Sequence, residues 1–124
     1  MIRGIRGATT VEKDKELEII EATEILLRKM IEDNGIEADM VASVFISVTE
    51  DITAAFPAKA MRLIDGWKYV PVMCMREIPV KASLEKCIRV MMHVNTNIPQ
   101  QDIHHIYLGG AIKLRPDLNS VEQS

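Results

Sequence analysis

The chain has 124 residues, with 15 Lys and Arg against 18 Asp and Glu, a formal net charge of −3, and 48% hydrophobic but only 4% aromatic residues. This length sets the expectation at one domain, the hydrophobic fraction excludes a disordered chain, and the mild acidity argues against a nucleic-acid binder that lives on phosphate contacts. The charge is uneven: residues 1–40 hold six Lys and Arg and ten Asp and Glu, whereas residues 41–124 hold nine and eight. The opening Met1–Gly7 lacks the apolar run and cleavage site of a secretory signal, and no segment approaches a membrane span. The two cysteines, Cys74 and Cys87, fit no zinc or redox spacing. The expectation is a cytoplasmic protein with reduced thiols and no membrane or nucleic-acid partner.

In chain order, Ile2 to Gly7, with Thr9 and Thr10 next, predicts a short strand. Glu12 to Asn34 predicts a helix whose apolar stripe runs through Leu17, Ile20, Thr23, Leu27 and Met30 or Ile31. Its first turns collect Glu12, Asp14, Glu16 and Glu18, while Arg28 and Lys29 lie near its end, in keeping with the helix dipole. The acidic run therefore reads as a solvated helix face, and Asn34-Gly35 as a stop. Met40 to Thr49 predicts a strand with Val44, Ile46 and Val48 on one face and Ser43, Phe45, Ser47 and Thr49 on the other. A shorter helix is expected over Pro57–Ile64, with Pro57 suited to a first turn. Trp67 to Met75 predicts a buried strand, with Pro71 hinting at an edge.

Lys81 to Lys86 is polar and fits either a turn of helix or a loop. Cys87 to Thr96 predicts a strongly alternating strand, with Ile88, Val90, Met92 and Val94 facing one way and Arg89, Met91, His93 and Asn95 the other. After a turn at 97–102, Ile103 to Leu114 predicts a last strand, bulged at Gly109-Gly110. Residues 1–115 form the expected domain, and 116–124 a polar, mobile tail. The order β-α-β-α-β-β-β implies an α+β domain with a mixed sheet and one long and one short helix.

Several cations sit at element ends and not along one stripe: Arg6 in the first strand, Lys59 and Arg62 three apart on one helix face, Arg89 inside an apolar strand, and Arg115 after the last. Tyr107 lies in that last strand, and Glu77 is the lone acid near the basic set. Such a distribution suits a pocket for a small polyanion, since Arg forks match carboxylates. Ordinary solvated side chains would account for Lys59 and Arg62 taken alone, and equally well for Arg89 on a half-exposed face. No glycine-rich phosphate loop is present. The adjacent His104 and His105 would face opposite ways in a strand, and the eight Met residues read as core filler. No nucleophile–base pair emerges from spacing, and Cys74 lacks a designated base.

Five segments in order, Arg3–Glu12, Phe56–Arg62, Pro71–Glu77, Cys87–Met92 and Ile106–Leu108 with Leu114–Leu118, together resemble the monofunctional chorismate mutases of the Bacillus type. The resemblance covers nearly the whole chain. It implies a ferredoxin-like-related, trimeric pseudo-α/β-barrel with an active site at each subunit interface, and no cofactor or metal. The implied reaction is the rearrangement of chorismate to prephenate, on the route to phenylalanine and tyrosine. It further implies that Arg89 bridges the ether oxygen and a carboxylate, and that Arg6 holds a carboxylate with Tyr107 beside it. Glu77 and the Cys74 segment would meet the ring hydroxyl. Phe56, Lys59 and Arg62 would come from the neighbouring subunit, and Arg115 would close over the site. Met73 stands where the family commonly has Thr, which preserves a backbone contact but not a side-chain one. Cys74 and Glu77 have opposite parity in an ideal strand, so both line one pocket only if the chain bends after Met75.

A pericyclic shift needs orientation and fixed positive charge where the ether oxygen becomes negative, not a nucleophile or a proton. The missing catalytic machinery is thus consistent with this function. The alternatives are a reactive-intermediate (enamine or imine) deaminase, a non-catalytic trimeric module for a small carboxylate metabolite, and a ferredoxin-like RNA binder. The first expects an acid where Met91 stands. The second is at odds with the joint retention of Arg6, Glu77, Arg89 and Tyr107. The third lacks a basic excess and exposed aromatic platforms.

Overall fold

Residues 2–10 form the first strand of a sheet whose middle is built from the alternating segments. The computed structural model describes residues 1–114; Arg115 and the tail expected at 116–124 lie outside them. Five strands, β1 (Ile2–Thr10), β2 (Val41–Val48), β3 (Val72–Arg76), β4 (Cys87–Asn95) and β5 (Ile106–Tyr107), make one mixed sheet in the order β3-β2-β4-β1-β5. β4 runs antiparallel to both β1 and β2, whereas β3 is parallel to β2 and β5 parallel to β1. One helix, α1 (Glu16–Asn34), covers one face. The expected mixed α+β architecture is present.

The period-two reading of β2 and β4 holds because each strand has one dry face. Val44, Ile46, Ile88, Val90, Met92 and Val94 are buried against α1, while Phe45, Arg89 and Asn95 are exposed. Helix α1 turns Ile19, Thr23, Leu26, Leu27 and Met30 inward. Leu17, expected on this stripe, is 81% exposed, because the helix starts at Glu16 and its buried row is phased from Ile19. The buried Thr23 hydroxyl donates to the Ile19 carbonyl at 2.7 Å, which satisfies it within the helix. Gly35 takes the left-handed conformation (φ 60°) that ends α1. Arg28 and Lys29 lie before the last turn, which carries no basic residue. They pair with Glu24 and Asp33 one turn away, each at 2.9 Å, instead of meeting the dipole.

Three expectations change. The second helix is a 3-10 segment, Pro57–Leu63, with Pro57 in its first turn as predicted. The strand expected from Trp67 shrinks to Val72–Arg76, a half-exposed edge in place of a buried one. There Pro71, just outside it, gives its carbonyl to the Val44 amide at 2.9 Å. The last strand shrinks to two residues, and Gly109–Leu114 forms a 3-10 segment. Gly109 adopts φ 55°, and the Gly110 amide donates to the Thr10 hydroxyl at 2.9 Å, which together turn the chain off the sheet edge. Lys81–Lys86 is loop, with Ala82 and Lys86 at positive φ; the Asp51 carboxylate accepts the Lys86 amide with both oxygens. No helix among the described residues is long and apolar enough to cross a membrane.

Candidate active site

Strand register decides which side chains share the open face of the sheet. Tyr107 on β5 stands opposite Ala8, Ala8 opposite Arg89, Arg89 opposite Ser47, and Ser47 opposite Met75. In the adjacent row Arg6 stands opposite Met91, and Met91 opposite Phe45. Paired residues point to the same side of a sheet, so Arg6, Arg89 and Tyr107 converge on the face away from α1. Glu77 lies just past β3, but its amide continues the ladder to the Val48 carbonyl at 2.9 Å. It therefore keeps the parity of Met75 and joins them. These four side chains line one cavity of about 270 Å³.

Within it, one Glu77 oxygen meets Arg89 Nη1 at 3.4 Å, and the other accepts the Ser47 hydroxyl. The Arg89 side chain is half exposed, so this ion pair contributes little to stability; what it does is orient both groups. Among the described residues it is the one hydrogen bond of the Arg89 guanidinium, which has five donors to offer. The Arg6 guanidinium has no hydrogen-bond partner among the described residues. Ser47 is the member that sequence reasoning did not single out; its signal was its place beside Phe45 on the outward face of β2. Two residues before Arg89 on β4, burial pushes the Cys87 thiol up to about 11, against the pull of the Arg89 charge, so it stays protonated at neutral pH.

The other five residues assemble elsewhere. Phe56, Lys59, Arg62, Met73 and Cys74 line a separate cavity of about 550 Å³ between the 3-10 segment and β3. It shares no lining residue with the first. Phe56 is 70% and Met73 60% exposed, and Lys59 meets Glu16 at 3.1 Å. Cys74 stands opposite Ile46, on the other face of the sheet from Glu77, and burial raises its thiol. The chain does not bend to unite them; within one chain Cys74 belongs with Phe56 and Lys59.

The acidic run before α1 is more than a solvated face. Asp14 accepts the Thr53 amide, the Thr53 hydroxyl and the Ala54 amide, all between 2.8 and 3.1 Å, and so tethers the loop that delivers Phe56. Those bonds, the Thr53 hydroxyl foremost, hold its carboxyl below the ordinary value of 3.8. A depressed value means the tether stabilises the fold above the ordinary carboxylate range and is lost as pH falls through the lowered one. Protection of the Thr53 and Ala54 amides, measured as exchange relative to an unstructured peptide at the same pH, is thus expected to fall in acid, and in Asp14→Ala to be low already at pH 7.

Two guanidinium groups, one carboxylate and one phenol thus share one cavity on the open face of the sheet, an arrangement whose chemistry suits a small anion. Among the described residues, no three His, Cys, Asp or Glu come together to hold a metal. The chain belongs to the type I chorismate mutases: the model of that family matches residues 2–118. It is 55% identical over 96% of its length to chorismate mutase AroH of Bacillus subtilis (strain 168), of which it covers 94%, and 50% identical over 98% of its length to chorismate mutase AroH of Thermus thermophilus, of which it covers 100%. A solved structure of chorismate mutase from Clostridium thermocellum superposes with a TM-score of 0.85 at 53% identity, covering 88% of this chain and 96% of that one.

Proposed function

We propose that the face carrying Arg6, Glu77, Arg89 and Tyr107 rearranges chorismate to prephenate in aromatic amino acid biosynthesis, as befits a chorismate mutase. The observation that carries this is the convergence, among the described residues, of two arginines whose donors are largely uncommitted in a cavity whose one carboxylate is turned to Ser47 and Arg89. In the reaction the ether C–O bond breaks as a C–C bond forms between the ends of the same molecule. No proton or electron leaves or arrives. The enol-ether oxygen gains negative charge as its bond stretches, and Arg89 can donate to it and to a carboxylate at once. Arg6 and Tyr107 take a carboxylate, and Glu77 accepts the ring hydroxyl. Holding the flexible substrate in its folded conformer supplies the orientation part of the acceleration. Catalysed loss of chorismate absorbance by the purified protein tests this; a rate equal to the uncatalysed one sinks it. Met91, two residues after Arg89, lines the cavity with a thioether, and so offers no acid for deaminase chemistry.

The functional assembly we propose is a homotrimer with sites between subunits. The second cavity, basic at Lys59 and Arg62 and apolar at the exposed Phe56 and Met73, supplies the facing wall from a neighbour. In this arrangement Cys74 approaches Glu77 across the interface and not along its own strand. Mixing inactive Arg89→Ala with Lys59→Ala chains, after unfolding and refolding together, then restores activity. Random assembly into trimers leaves about a quarter of the interfaces with two intact halves. Recovery indistinguishable from zero would argue that each site lies within one chain.

A further inference from the structure

Strand β5 pairs with β1 only through Ile106 and Tyr107, opposite Gly7 and Ala8. One position before this pairing, the Arg6 amide points to the same side with no strand to receive it. It donates instead to Nδ1 of the His105 ring at 2.9 Å. A backbone amide can only donate, so Nδ1 must present its lone pair, and the neutral ring carries its proton on Nε2. The preceding residue is held in the same manner from the other side. Asn34, buried at the end of α1, accepts the His104 amide with Oδ1 at 2.8 Å and donates from Nδ2 to the His104 carbonyl at 2.8 Å and the Met30 carbonyl at 2.9 Å. Two side chains thus stand in for the ladder bonds that a longer β5 would make, at the point where Arg6 and Tyr107 enter the cavity.

We propose that His105 is a positioning residue for substrate binding: its Nδ1 fixes the Arg6 backbone against β5, and with it the spacing between the Arg6 guanidinium and the Tyr107 phenol. The inference rests on the reading that these two groups hold a substrate carboxylate. His105→Leu keeps bulk but removes the acceptor; His105→Asn places an amide oxygen about where Nδ1 sits. The expected result is a KM for chorismate raised about tenfold in His105→Leu with kcat nearly unchanged, because a binding contact common to ground and transition state is displaced. In His105→Asn, KM returns to within about threefold of the parent. A parental KM in His105→Leu, or equal KM values in the two variants, overturns the proposal. If His105→Leu does not fold, the parent protein still decides, through a nitrogen–nitrogen coupling across the hydrogen bond between the Arg6 amide and His105 Nδ1; its absence also overturns the proposal. Arg6→Ala separates the two layers. An unchanged KM there, with the coupling present, rejects the carboxylate reading and not the clamp. When Arg6→Ala does raise KM, adding His105→Leu leaves it where Arg6→Ala put it, and a further independent rise shows that His105 does not act through Arg6.

Discussion

Replacing Arg89 by alanine is expected to lower kcat by about three orders of magnitude while leaving the fold in place. A preorganised donor aimed at developing negative charge is worth roughly 3–4 kcal/mol in such a site, and Arg89 is asked to stabilise the ether oxygen while also gripping a carboxylate. The structural cost is small. The side chain is half exposed, and its contact to Glu77 is a single 3.4 Å ion pair, a type worth about 1 kcal/mol or less. Its strand neighbours Ile88 and Val90 face the other way, into the core, and keep β4 paired. Chorismate consumption measures the loss, and the thermal midpoint and circular dichroism report the fold. Arg89→Lys is expected to remain within about tenfold of the alanine variant, since an ammonium is one point charge and cannot fork between two acceptors. Near-parental turnover in either variant would remove Arg89 from the mechanism.

The largest stability effect is expected one residue from Arg6. A Cβ built on Gly7 meets Met30 Sδ head-on, and approaches Leu26 Cδ1 at 3.1 Å and Met30 Cε at 3.2 Å. Both side chains are fully buried, so neither can swing into solvent, and the new atoms fit only if Met30 and Leu26 repack within the core or α1 lifts from β1. Gly7→Val is expected to cost about 3 kcal/mol, the upper part of the usual range for overpacking a dense core, read as a lower denaturation midpoint with an unchanged slope. Because Gly7 also lines the cavity, the surviving folded fraction is expected to bind chorismate more weakly. Gly7→Ala brings the same Cβ clash with less bulk and falls between the two. A Gly7→Val midpoint equal to the parent would mean that α1 does not press on β1 here.

The two middle strands were legible because their information is local. In β2 and β4 each residue's face follows from its neighbours two positions away, and Arg89 could be placed outward before any partner was known. The motif segments likewise marked Arg6, Glu77 and Tyr107, which the sheet brings together. Helix α1 was legible in extent at its C-terminal end, where Asn34-Gly35 stops it, but not at its start. Asp14 carries helix-like composition yet bonds to Thr53 and Ala54, some forty residues on. The last strand misled for a related reason. Ile103 to Leu114 is apolar enough for a strand, but Thr10, a hundred positions away in sequence from Gly110, takes the amide that diverts it.

By itself the amino-acid order determined the outward set of β2 and β4, the class of fold and the family resemblance, because periodicity and contiguous motifs are written over short spans. Only the tertiary structure decided that the nine predicted site residues within 1–114 fall into two cavities, four in one and five in the other. It alone gave Ser47, His105, Asn34 and Asp14 their positions around them. The reason is physical: a pocket is made by register between strands and by side chains that complete hydrogen bonds the backbone leaves open, and both depend on partners far apart in the chain.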